Sequence, residues 1–188
     1  MTTAIAPTVF LIAFMAAQAA DKMPVPFPPI DQRTGGDSSV ERPEIDVATN
    51  MRTWDGLWQR HRGNISIGNA TAPEIDKPPV VNFDQVEVLV IFGGLAPVGG
   101  YDVVDSVKQN GKVNLKLQPI SLVPNGQRTP AGIRATPYAF IMLPKTKLPI
   151  NVLMPVKDSN GNMQWKSVGE AGGEQQQGQQ PVKQNGGG

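Results

Sequence analysis

The chain of 188 residues contains no cysteine. That absence excludes disulfides, thiolate metal sites, a cysteine nucleophile and a lipidated cysteine anchor together. Histidine is nearly absent too: His61 stands alone, which argues against a zinc site built on several His or Cys ligands. Neither charge sign is in excess, with 17 Lys and Arg against 16 Asp and Glu. The two signs are interspersed, so there is no basic patch for nucleic acid and no polybasic membrane surface. No apolar run reaches the ~20 residues of a membrane-spanning helix. No Gly-x-Ser-x-Gly elbow is present, and no serine is marked out as a partner for His61. Two Gly-Gly pairs occur between residues 93 and 100. They lack a following Gly-Lys-Ser/Thr, and a strand rather than a helix comes next, which excludes a phosphate loop. No internal repeat is found.

Charged side chains are also missing from the first twenty residues. Val9 to Ala17 is apolar and of the length of a signal-peptide core, and Ala17-Gln18-Ala19 fits the small-x-small cleavage pattern. Residues 1–19 therefore read as a signal peptide. The alternative is an uncleaved N-terminal anchor, since only the amino terminus supplies positive charge ahead of the apolar run. The expected location is periplasmic or secreted, in association with the cell envelope, with no stable membrane insertion after cleavage. Residues 20–44 are rich in Pro and Gly and read as an extended linker. Residues 169–188 are mostly Gly, Gln and Glu and read as a disordered tail. One folded domain is expected between them, over residues 45–168.

Within that domain the spacing predicts one helix from Asn50 to Arg62. Thr49 or Asn50 can cap it, and Gly63 suits its C-terminal end. Trp54, Leu57, Trp58 and His61 recur at i, i+3, i+4 and i+7, which is one face. Strands are predicted at Val86–Phe92, Tyr101–Lys108, Lys112–Leu117, Ala135–Leu143, Ile150–Val156 and Met163–Val168. Asn110-Gly111 is the favoured dipeptide of a type I′ hairpin, and Asn160-Gly161 is a second hairpin signal. The expected fold class is α+β: a predominantly antiparallel β sandwich or partly closed barrel, with one amphipathic helix packed on it.

Four motifs occur in one order. They are Thr53-Trp-Asp-Gly-Leu-Trp-Gln-Arg-His61, Val81-Asn-Phe-Asp-Gln-Val-Glu-Val-Leu-Val90, Ala96-Pro-Val-Gly-Gly-Tyr-Asp-Val103 and Thr136-Pro-Tyr-Ala-Phe-Ile-Met-Leu-Pro144. Together they resemble the PrcB C-terminal domain family, over about residues 47–143. Asn82 stands where that family has an acidic residue, and Val98 where it has Thr. The family is named for a lipoprotein that associates with a surface protease complex. The resemblance implies an exported accessory protein that binds another protein, a protease among the candidates. Most members of that family have no assigned activity.

The expected function is therefore a non-enzymatic exported accessory or scaffold protein that binds or stabilises another envelope protein. The candidate contact residues are Leu95, Pro97, Val98, Gly99, Gly100 and Tyr101, in the Gly/Pro-rich turn, joined by the loop from Pro119 to Pro130. Pairing of a partner peptide with a strand edge is a further route to contact. Trp54, Trp58, His61 and Tyr138 are assigned structural roles. Two alternatives differ in class. One is a protease inhibitor of the chagasin type using residues 93–101; the other is a hydrolase using His61. No catalytic, cofactor or metal residues are assigned. Gly94, Gly99 and Gly100 are expected to take positive φ or to allow close strand approach. Asp102 and Asp105 are expected on opposite faces of a strand. Asp84 and Glu87 are expected to be solvated edge residues, and Asp158 to Asn162 a polar turn rather than a calcium loop.

Overall fold

The computed structural model describes residues 23–63, 77–123, 130 and 132–173. The signal-peptide assignment, most of the predicted tail and residues 124–129 of the candidate contact loop lie outside them.

Among the described residues nine strands and one helix are formed: β1 (Val25–Pro26), β2 (Asp31–Gly35), β3 (Pro43–Ala48), α1 (Met51–Arg62), β4 (Val86–Gly93), β5 (Val98–Gln109), β6 (Lys112–Ser121), β7 (Tyr138–Pro144), β8 (Ile150–Lys157) and β9 (Met163–Ala171). They make two sheets, one in the order β1-β5-β6-β8-β9 and the other in the order β2-β7-β4-β3. All pairings are antiparallel except β6 with β8, because the chain leaves the larger sheet to form β7 before returning. The fold is an α+β sandwich, not a closed barrel.

The hydrophobic pattern explains the layering. Leu89, Ile91, Ile141 and Leu143 of the smaller sheet meet Val113, Leu115, Leu117, Ile150 and Val152 of the larger one between the layers. The other face of the smaller sheet presents Val86, Val88, Val90, Phe92 and Phe140 to Trp54 and Leu57 of α1. Strand β4 is thus covered on both sides, which is why it reads as an unbroken apolar run rather than an alternation. Strand β6 is covered on one side only, and it alternates.

Helix α1 starts and stops where its caps predict. The Asn50 side chain accepts from the Thr53 N–H at 2.9 Å, and Gly63, at φ 70°, ends it by donating to the Gln59 carbonyl. Asn110 and Gly111 both have positive φ between β5 and β6, as a type I′ turn requires. The β8–β9 connection is longer; the Asp158 carboxylate holds it by accepting from Asn160 and Asn162 N–H groups at 2.9 and 2.8 Å.

The expected linker over residues 20–44 is corrected. From residue 23 onward much of it is sheet: β2 pairs with β7 along its whole length, and β3 begins at Pro43. Phe27 is buried in the inter-sheet core, and its N–H donates to the Ser106 carbonyl. Pro26 is tolerated because β1 is an edge strand, where a missing N–H costs little. The tail boundary moves as well, since β9 continues through Gly169 to Ala171. Pro119 is not in a loop but in β6, opposite Tyr101.

Candidate functional site

The residues expected to contact a partner fall into two groups. Leu95 and Pro97 are exposed at the tip of the β4–β5 connection, Val98 and Gly99 are half-buried, and Gly100 is buried. Tyr101 is only 5% exposed and belongs to the inter-sheet core, so it is corrected from a contact residue to a packing residue. The cause is a cross-sheet clamp. The Tyr101 N–H donates to Thr34 Oγ1 at 2.8 Å, and that hydroxyl donates onward to the Tyr138 carbonyl at 2.8 Å. Gly100 lies directly over Thr34, at φ 151°; a Cβ there would overlap Thr34 Oγ1. The glycine therefore serves both backbone conformation and close approach. Gly94 also holds positive φ, whereas Gly99 does not.

The four residues assigned structural roles come together as one aromatic cluster between α1 and the smaller sheet. Trp54 is buried edge-on against Phe140, and its indole N–H donates to the Pro79 carbonyl at 3.0 Å. Trp58 and Tyr138 are half-buried beside it. His61 is 3% exposed, with ring centroids of Tyr138 and Phe140 at 4.2 and 4.9 Å. Its Nδ1 has no hydrogen-bond partner among the described residues. Burial disfavours the imidazolium and lowers its pKa to about 4; the nearby Asp37 carboxylate opposes this and Arg62 adds to it. The His61 ring is thus enclosed by aromatic side chains. Arg60, on the outer side of α1, makes a two-pronged ion pair with Glu44 of β3 at 2.9 and 2.6 Å.

Sequence reasoning misread the pair Asp102 and Asp105, and Glu87 as well. Asp102 and Asp105 share a face, because a bulge in β5 inserts Val104 and sets them opposite Gln118 and Lys116, two residues apart in β6. Asp105 pairs with Lys116 Nζ at 2.8 Å, and Asp102 accepts from Gln32 Nε2 at 3.3 Å. Glu87 is not a solvated edge residue. It stands in central strand β4, on the inter-sheet face, opposite Leu143. Its residue is 4% exposed and its Oε1 has no partner among the described residues. Burial raises its pKa to about 7; a Thr146 backbone hydrogen bond and the Lys145 and Lys108 ammonium groups pull in the other direction. An acidic residue inside the apolar run Val86–Phe92 was the available signal. Among the described residues, no group of three or more His, Cys, Asp or Glu is placed to hold a metal ion.

No family model, curated protein or solved structure matches this chain.

One flank of the sandwich is unfinished. Strands β3 and β9 are edges of their sheets on the same side, and among the described residues each pairs with only one neighbour. They meet where Gly169 faces Ile45; a Cβ on Gly169 would lie 2.7 Å from Ile45 Cδ1. Beside that contact is an open cavity of about 410 Å³, lined by Ile45, Ile91, Phe92, Tyr101, Met154 and Val168. Val168 itself is 47% exposed beside this cavity; Met163 and Trp165 are exposed too, on the other face of β9, where Lys116 lies over the Trp165 ring.

Proposed function

We propose that the protein is a non-enzymatic, exported accessory or scaffold protein that binds another envelope protein, a protease complex being the partner type the family resemblance suggests. The observation that carries this reading is the β3–β9 flank. Edge strands expose unpaired N–H and C=O groups, and proteins normally shield them with Pro, charge or a covering element. Here β9 is nine residues long and contains no proline; Lys166, Glu170 and a bulge at Val168 interrupt it, and Val168 stays exposed beside the cavity. A cavity lined mainly by apolar residues, with Glu44 and Glu170 also in its wall, lies beside it. Unpaired edges with pockets for alternate side chains suit recognition by strand addition. This supports the flank over the turn as the contact surface, since in the turn only Leu95 and Pro97 are exposed.

The test is site-specific photo-crosslinking in the envelope of producing cells. A photoreactive residue at Val168 should yield an adduct of one defined mass. The same residue at Val104, exposed on the outer face of β5, should yield none. Equal labelling at the two positions, or none at either, overturns the proposal.

A further inference from the structure

A second cleft, of about 370 Å³, opens where α1 begins. Its lining includes Asp46, Thr49, Asn50, Glu87, Thr146 and Lys147. Glu87 forms the buried acidic part of that lining, with Oε1 unpartnered among the described residues. Such a group costs free energy unless something in the working state of the protein satisfies it.

The groups around Glu87 are mostly donors or positive. The first turn of α1, a 12-residue helix, contains no acidic residue to offset its dipole, though the Asn50 side chain already takes the Thr53 N–H. Lys147 lines the cleft, and the Lys145 and Lys108 ammonium groups act on Glu87 from nearby. The Thr146 hydroxyl accepts from the Leu148 N–H at 3.2 Å and keeps its own proton to donate. Asp46 is the opposing charge, and its Oδ1 is already taken by the Val47 N–H at 2.7 Å. A helix N-terminus with hydroxyl donors suits an oxyanion. The same positive groups disfavour an ammonium ligand.

We propose that this cleft binds the carboxylate of a small organic acid or of a peptide C-terminus, with Glu87 as the hydrogen-bond donor from its wall. The carboxyl O–H donates to the ligand carboxylate, and one proton lies between the two. A dianionic ligand would be a poorer match, because one buried donor proton balances one incoming charge. Binding takes up a proton wherever free Glu87 is ionised. Affinity therefore weakens about tenfold for each pH unit above the range in which Glu87 titrates. A bound cation would show the opposite dependence and release a proton.

The experiment is an NMR titration of the full chain with acetate, with N-acetyl-Gly-Leu as free acid, with its C-terminal amide, and with n-butylammonium. Amides of Thr49 and Thr53 and the Glu87 carboxyl carbon are followed from about pH 6 to about pH 9. Acetate or the free-acid peptide should shift these signals, and the amide and the ammonium should not. Tighter binding of the peptide acid than of acetate identifies a C-terminus as the source; equal binding identifies a small acid. Glu87→Gln retains an N–H donor, so it should still bind the carboxylate but with the pH dependence abolished. Binding by the ammonium alone, carboxylate binding in the unsubstituted protein that is independent of pH, or no binding by any probe overturns the proposal.

Discussion

Glu87 and His61 are buried titratable groups whose pKa values move in opposite directions, and this makes the pH dependence of stability a sharp test of the fold. Glu87 is raised from 4.5 to about 7. Between those values the unfolded chain has lost this proton while the folded chain keeps it. The stabilisation is complete below pH 4.5 and is lost as pH rises through 7. His61 is lowered from 6.5 to about 4. Its contribution is complete above pH 6.5 and is lost as pH falls through 4. At about 1.4 kcal/mol per pH unit, each group contributes about 3 kcal/mol. In the unsubstituted protein the two slopes oppose each other in the overlapping window, so stability from these groups is nearly level there. Each substitution should unmask the other group. In Glu87→Gln, urea denaturation should show stability rising by about 3 kcal/mol from pH 4 to 6.5 relative to the level profile. In His61→Phe, stability should fall by about 3 kcal/mol from pH 4.5 to 7. Other carboxylates contribute the same background to all three proteins, so the differences between profiles carry the result. Three parallel profiles would refute the burial of both groups.

The remaining predictions concern packing and local geometry, all read by chemical denaturation. Trp54→Ala removes the largest buried ring under α1, and should destabilise the fold by about 3–5 kcal/mol through the cavity it leaves. Gly100→Ala should cost about 2–3 kcal/mol, because a Cβ would meet Thr34 at a positive φ and break the clamp between sheets; paired with Thr34→Ala, the loss should be less than additive. Asn50→Ala removes the α1 cap and should cost about 1 kcal/mol, with Asn50→Asp restoring it. Arg60→Ala should cost about 1 kcal/mol or less despite its two-pronged geometry, since the pair with Glu44 is largely solvated.

Local patterns made much of this fold legible. The helix could be read because its cap, its apolar spacing and its terminal glycine agree, and the structure starts it at Met51 and ends it at Arg62. Strands β4 to β9 could be read from alternation or unbroken apolar runs, and the β5–β6 turn from Asn110-Gly111 alone. Strands β1 to β3 could not, because Pro and Gly carry the same composition whether an extended segment is solvated or laid along a sheet edge.

What the amino-acid order determined by itself was the class of the fold, the single helix with its buried aromatic face, and the want of any cysteine- or multi-histidine-based site. Tertiary structure alone decided the placement of the charged groups. Glu87 is buried because β3 and β7 flank β4 and the second sheet covers it, a relation between segments distant in sequence. Asp102 and Asp105 share a face because one extra residue in β5 reverses the alternation that a straight strand would impose. Tyr101 turns inward because a threonine some 67 residues earlier fixes its N–H. Periodicity records which side of an element is apolar, whereas burial of a particular polar group depends on what the rest of the chain packs against it.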